Sequence, residues 1–286
     1  MTGVAAARTA GKLAGIERLA RERPEYREIL SVFREIYGFV AGKEEATGIA
    51  FAIPAASRAE RAAAGLPLVA PEGVRVDGGR ASAFLAGLIA VMERVGTEGR
   101  EELAALGRAL AEGALDLPAL FTACLTRERG VLSDAAAAVS VSPPLLEFVL
   151  EVPLKTALEG VAASLDPKAF EGWAEGYCPV CGGRAGMDEL AGDEGRRYLS
   201  CSGCFFKWPY KRIKCPYCGT EDPAALSYFT AGEGPTRVGI CRACSRYIKT
   251  RDSRAAGSTD VPLEVEDLAT LHLDLMAAKE GFERGR

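Results

Sequence analysis

Apolar residues recur at helical spacing through the first 165 positions of the chain. Ile29, Val32, Phe33, Ile36, Phe39 and Val40 fall on one stripe with a 3.6-residue period, and residues 25–51 around them read as one helix ended by Pro54. A helix over 8–22, rich in Ala, Leu, Glu and Arg, precedes it, with Pro24 between the two. Ser57 followed by Glu60 resembles a capping box for a short helix. Residues 65–80 hold Gly65, Pro67, Pro71, Gly73, Gly78 and Gly79 and read as a loop, whose Leu66, Leu68 and Val69 suit packing on the helices. Helices are expected at about 79–96, 98–113, 116–128, 131–140 and 143–164, with Asp116 as an N-cap and Pro118 in the first turn. Asp166 and Pro167 start another short helix that runs to Trp173. Stripes of this kind are core faces.

Beyond residue 173 the period shortens. Residues 186–190 and 196–200 are short β-prone runs around a turn at 192–195, and 225–229 and 237–240 flank a second turn at 231–236. A polar linker over 250–259 follows, and Leu263, Leu268, Leu271, Leu275 and Met276 mark a final helix ending near Gly281. The fold class expected is α+β: an all-α helical domain (1–165), two tandem rubredoxin-like or zinc-ribbon modules (166–210 and 211–254), and a linker with a C-terminal helix (255–286).

Cysteine placement gives the ribbons their chemistry. Eight of the nine cysteines form Cys-x-x-Cys pairs: Cys178/Cys181, Cys201/Cys204, Cys215/Cys218 and Cys241/Cys244. Cys178-Pro-Val-Cys-Gly182 precedes Cys201 by 19 residues, and Cys215-Pro-Tyr-Cys-Gly219 precedes Cys241 by 22. A Cys-x-x-Cys turn puts two sulfurs on one side of a knuckle, so two knuckles supply four thiolates at tetrahedral corners. Four pairs imply two metal ions, iron or zinc, one per four-cysteine site. Adjacent pairs are expected to ligate together; the alternative joins Cys201/Cys204 with Cys215/Cys218. Each module is too small for a hydrophobic core alone, so metal would supply folding free energy on the order of 10 kcal/mol per site. A closed four-thiolate shell leaves no position for a substrate. A redox role would need iron, or one pair cycling as dithiol and disulfide.

Charge and composition narrow the classes further. The net charge of −4 gives no hint of general nucleic-acid affinity, although residues 168–254 carry 14 Lys and Arg against 10 Asp and Glu. The Ala-rich start is interrupted by Arg8 and Lys12, and the apolar run 81–92 is too short to span a bilayer, so neither export nor membrane insertion is expected. Metal-ligating cysteines fit a reducing, cytoplasmic setting. The one histidine, His272, lies at the edge of the last apolar stripe, and the ninth cysteine, Cys124, on an apolar helix face; both read as packing residues. A single histidine leaves no Ser-His-Asp set, and neither a G-x-G-x-x-G nor a Walker loop is present, so the chain does not read as an enzyme.

Between the ribbons, Phe205, Phe206, Trp208 and Tyr210 alternate with Lys207, Lys211, Arg212 and Lys214. The mixture suits packing of one ribbon on the other. It also suits a partner-binding surface of Phe205, Phe206, Trp208, Tyr210, Lys211 and Arg212, or stacking on single-stranded nucleic acid, which the overall charge disfavours.

These motifs resemble one family. Cys-Pro-x-Cys-Gly182, Arg197-Tyr-Leu-Ser-Cys-Ser-Gly-Cys-x-x-x-Trp208, Lys214-Cys-Pro-Tyr-Cys-Gly219, Cys241-x-x-Cys-x-x-Tyr-Ile-Lys249 and Asp267-Leu-Ala-Thr-Leu-x-Leu-Asp-Leu275 are similar to those of the FdhE-type formate dehydrogenase accessory proteins. The likeness covers about 178–275 in sequence and the first 165 residues in character. It implies a cytoplasmic maturation factor that binds the catalytic subunit of a respiratory formate dehydrogenase before export. It also implies two Cys-ligated metal sites, the eight cysteines being the ligands. Phe206-Lys207 stand before Trp208 where the family often has an acidic residue. Other classes compatible with the residues are a zinc-ribbon nucleic-acid module and a thiol redox or holdase protein using one Cys-x-x-Cys pair.

Overall fold

A computed structural model describes residues 2–53, 58–96, 99–231, 234–254 and 261–285. Among the described residues, eight α-helices form the first half: α1 (Thr2–Glu22), α2 (Arg27–Val40), α3 (Arg58–Ala63), α4 (Gly78–Val95), α5 (Arg100–Ala111), α6 (Leu117–Thr126), α7 (Arg129–Ala138) and α8 (Pro143–Ala163). Asp116 caps α6 by accepting the Ala119 N–H at 3.1 Å. Asp166 likewise accepts from Lys168 at the start of a single 3-10 turn, Pro167–Phe170, shorter than the helix expected there. The Ser57 cap lies outside the described residues.

Two expectations in this half need correction. The helix over 25–51 stops at Val40, and Ile49–Phe51 is a strand (β1) paired antiparallel with Val74–Val76 (β2) in the segment read as a loop. α2 ends where Ala41 turns extended (ψ 119°) and Gly42 takes φ +66°, and the chain enters β1 through Gly48 at φ +70°, where a Cβ would lie 2.6 Å from the Ala81 amide of α4. Only glycine allows β1 to leave against the start of α4.

The second half is one sheet. The first knuckle leads into β3 (Ala185–Ala191) and β4 (Arg196–Cys201), and the second knuckle into β5 (Lys207–Pro209). The order repeats with β6 (Leu226–Phe229), β7 (Thr236–Cys241) and β8 (Arg246–Asp252). Strand order is β5-β4-β3-β8-β7-β6; antiparallel pairing holds each ribbon, and a parallel β3–β8 contact fuses the two. The tandem modules therefore share a continuous sheet. Residues 250–252, expected in a linker, are the end of β8.

The expected final helix is two, α9 (Leu263–Leu268) and α10 (Leu271–Lys279), broken at Ala269–Thr270 and followed by a short strand β9 (Glu283–Arg284) beside β8. α10 covers Val238, Ile240 and Tyr247 with Leu273 and Ala277. α9 instead reaches the other end of the chain, where Val261, Val265 and Ala269 bury Ile16, Leu19 and Leu30. Gly11 and Gly15 let α1 approach there; a Cβ at Gly15 would stand 3.3 Å from Pro262 and Val261. The largest core runs unbroken from α4, α6 and α8 to Cys178, Cys181, Cys201, Cys204, Phe206 and Trp208. Among the described residues no single helix is long and apolar enough to cross a membrane; α7 and α8 together are, but they bend by 111°.

Candidate metal centres

Each centre is built from two knuckles at the ends of a hairpin. The first-cysteine amide of three knuckles closes a turn by donating five residues ahead: Cys178 to Gly183 (2.8 Å), Cys201 to Phe206 (3.0 Å) and Cys215 to Thr220 (2.9 Å). The residue after each second cysteine is left-handed: Gly182 (φ 69°), Phe205 (56°), Gly219 (75°) and Ser245 (54°). Two of the four are not glycine, so the turn holds a strained conformation there.

The hairpins bring together the adjacent pairs, not the crossed ones. Cys178, Cys181, Cys201 and Cys204 form one group and Cys215, Cys218, Cys241 and Cys244 the other, the sulfurs of each lying within 4.8 Å of one another. Sγ separations are 3.4 Å (Cys178–Cys204 and Cys181–Cys201) and 3.6 Å (Cys181–Cys204) in the first, and 3.8 Å (Cys215–Cys244) and 3.7 Å (Cys218–Cys241) in the second. Sulfurs about 2.3 Å from a central ion stand ~3.8 Å apart at tetrahedral corners. The donor set thus fits a zinc or iron ion in both. Backbone amides add N–H···S bonds: Val180 to Cys178 (3.4 Å), Gly203 to Cys201 (3.3 Å) and Tyr217 to Cys215 (3.4 Å). Such bonds favour the thiolate form and tune a bound metal.

Without a cation these thiols share protons unevenly. Burial drives Cys178 and Cys204 well above the ordinary thiol range. Cys201 is buried too, but hydrogen bonds from Cys178, Cys181 and Cys204 outweigh that and bring it down. A divalent ion removes this conflict by stabilising all four thiolates.

The two groups differ in surroundings. All four sulfurs of the first are buried in the main core, whereas Cys218 is exposed and Cys244 half-buried in the second. The loop at 65–69 seals the first: Leu68 and Val69 donate to the carbonyls of Pro179 and Val180 at 2.9 and 2.8 Å, and Tyr177 donates to Gly65 at 2.7 Å. Gly183 is needed beside it, since a Cβ would stand 2.7 Å from the Cys201 sulfur.

The six residues between the ribbons divide. Phe206, Trp208 and Tyr210 are buried: Phe206 packs edge-on against Phe170, the Trp208 indole donates to Glu175 (3.1 Å), and the Tyr210 hydroxyl donates to Cys215 (3.2 Å). They are core residues and present no face to a partner, a correction to the six-residue surface. Phe205 lies under the Lys12 ammonium, 4.4 Å from its ring. Lys12 is itself buried between Glu159 (2.6 Å) and Glu264 (3.4 Å). Lys211 and Arg212 remain exposed, Lys211 pairing with Glu221 at 2.5 Å. They line an open groove of about 690 Å³ with Arg196, Arg197 and Lys214.

Cys124 and His272 stand apart from both groups. Burial, then Glu151 and Glu147, pushes the Cys124 thiol up to about 12. His272 Nδ1 meets the Tyr26 hydroxyl at 2.6 Å.

The Lys12 set escaped sequence reasoning, and so did two others. Arg197 grips Asp188 at 2.5 Å and donates to the Lys214 carbonyl at 2.7 Å, fixing the inter-ribbon link. Lys249, with no exposed surface, lies 2.7 Å from both Asp267 and Asp274, which Arg284 also contacts. No spacing in the sequence marks this set, because the break at Ala269–Thr270 lies between Asp267 and Asp274.

Residues 177–212 match the family described as FdhE, central domain, and residues 213–286 the family described as FdhE, C-terminal domain. Among similar proteins, an FdhE homolog of Aquifex aeolicus is 39% identical over 146 residues, half of each chain. One of Rhizobium meliloti is 32% identical over 129 residues, 43% of this chain and 42% of its own. The matched stretch therefore spans about half the length of these relatives or less. The crystal structure of the FdhE protein from Pseudomonas aeruginosa superposes with a TM-score of 0.69 at 24% identity, over 97% of this chain and 93% of that one. That likeness concerns the fold.

Proposed function

We propose that the chain, whose residues 177–286 match the FdhE central and C-terminal domains, belongs to the FdhE family and is a non-enzymatic maturation factor for a respiratory formate dehydrogenase. In this reading it binds the catalytic subunit in the cytoplasm before export. The eight paired cysteines are the ligands of two metal ions, iron or zinc. The observation that carries the reading is the pair of closed sulfur tetrahedra inside the family's own domains. A bound ion would cross-link the knuckles and fix the sheet; four thiolates leave it no open position for chemistry. Outside these groups, Lys12, Arg197 and Lys249 are spent on ion pairs between elements.

Docking on a client would use exposed parts of the ribbons. The groove beside Lys211 and Arg212 is the cationic choice, with Glu221 the exposed counter-charge a client carboxylate can displace.

The test is anaerobic affinity purification from the native cell, with metal counted in the eluate. Wild type is compared with a Cys178→Ser/Cys215→Ser chain and with Lys211→Glu/Arg212→Glu, whose surface changes leave the core intact. Expected is a molybdenum or tungsten formate dehydrogenase subunit that co-elutes with wild type and is lost from both variants. Nucleic acid or ribosomal protein in its place would overturn the reading.

A further inference from the structure

Sequence repetition makes the two four-cysteine groups look equivalent, and the fold makes them unequal. The first has its four cysteines at 7% exposure or less, in one core with α4, α6 and α8. The second has Cys215 and Cys241 buried, Cys244 half-buried and Cys218 open to solvent. The glycines after the two Cys-Pro-x-Cys knuckles report the same difference independently. Gly182 is covered by Pro67, 3.1 Å from where a Cβ would stand, while at Gly219 nothing lies within 4 Å. The loop at 65–69 that closes the first knuckle by hydrogen bonds to Pro179 and Val180 makes no such bonds to the Pro216–Tyr217 knuckle.

We infer that the second group is an exchange site, at which an external thiol displaces Cys218 so that metal enters and leaves, while the first group releases its ion far more slowly. The reason is steric. Ligand exchange at a four-thiolate centre needs an incoming donor to reach the ion before an outgoing one has left, and only a sulfur at the surface allows that approach. In the step, the incoming thiol's sulfur bonds the metal, the bond to Cys218 breaks, and the thiol's proton passes to the Cys218 sulfur. No oxidation state changes. Cys244 is the next sulfur exposed, so loss of the ion proceeds from the Cys218–Cys244 side inwards. Cys215, whose carbonyl accepts from Tyr210 in the protein interior, stays in place. The inference rests on the reading that both groups hold metal, and its test keeps the two apart.

The experiment uses the full chain loaded with zinc, its metal content counted, and mixed with an excess of a chromophoric chelator with and without glutathione. In parallel, samples are pulsed with N-ethylmaleimide and the labelled cysteines mapped by mass spectrometry. Two phases of equal amplitude are expected, separated by at least about tenfold in rate, which corresponds to ~1.4 kcal/mol in barrier height. Glutathione should accelerate only the faster phase. Label should appear first on Cys218, then on Cys244, with Cys178, Cys181, Cys201 and Cys204 protected until the slow phase. Release of both ions at one rate, or first labelling at the Cys178 group, overturns the inference and leaves the metal reading standing. Fewer than two ions per chain with both groups open to label overturns both.

Discussion

Lys249 shows at the scale of one residue how this fold uses charge. It points inward from β8, and its ammonium is satisfied by Asp267, Asp274 and the Asp267 carbonyl. Lys249→Met leaves the two carboxylates to Arg284 and the Tyr247 hydroxyl, an expected loss of about 3 kcal/mol measurable by urea unfolding. The same group sets an acid limb. Asp267 is buried, which would raise its carboxyl, but Arg284 and Lys249 outweigh this and hold it below the ordinary 3.8. Its stabilisation is therefore complete above about pH 4 and is lost as pH falls through the depressed value. Asp267→Asn should flatten that part of the stability curve, and an unchanged acid limb would show that the network contributes nothing to it. A second single-residue prediction concerns Ser245, left-handed at φ 54° where its counterpart Gly219 is glycine. Ser245→Gly should raise stability by roughly 0.5–1 kcal/mol, read as a higher melting temperature of the metal-loaded protein.

Among the elements, those with local causes were legible in the sequence. α4 to α8 follow their apolar stripes and caps, and β3, β4, β6 and β7 their Gly-rich turns, because periodicity and turn chemistry act within a few residues. The knuckles were equally readable, and spacing alone favoured the adjacent pairing that the hairpins adopt. What escaped depends on distant partners. The apolar count runs past Val40 because Ile49 and Phe51 continue it, and the close approach of Gly48 to α4 that turns the chain into β1 cannot be seen locally. The end of β8 reads as a polar linker because Arg251, Asp252 and Ser253 are polar; the Val261 carbonyl that takes up the buried Arg251 lies 10 residues further on. Phe206, Trp208 and Tyr210 looked like a surface for the same reason, their neighbours Phe170 and Glu175 belonging to the segment before the ribbon.

Across the whole molecule, the shared core makes the two metal groups differ in what depends on them. Cys178→Ser should loosen α4, α6 and α8 along with the first ribbon, whereas Cys215→Ser should stay confined to β6, β7 and β8. Hydrogen exchange of the two variants separates these outcomes; equal, ribbon-only deprotection in both would show that the helices stand without the first group. The docking of α1 on α9 carries a different consequence. The Arg23 guanidinium reaches the Ala269 carbonyl, 246 residues along the chain. Ile16 and Leu19 find part of their cover in α2 and the rest only in residues synthesised about 245 positions later, so α1 leaves the ribosome with one side of its apolar face still bare. Contacts of such high order close late and slowly. Until Val261 and Val265 arrive, the nascent α1 is the surface on which a holding chaperone would act, and clasping the chain's two ends together is the step that releases it.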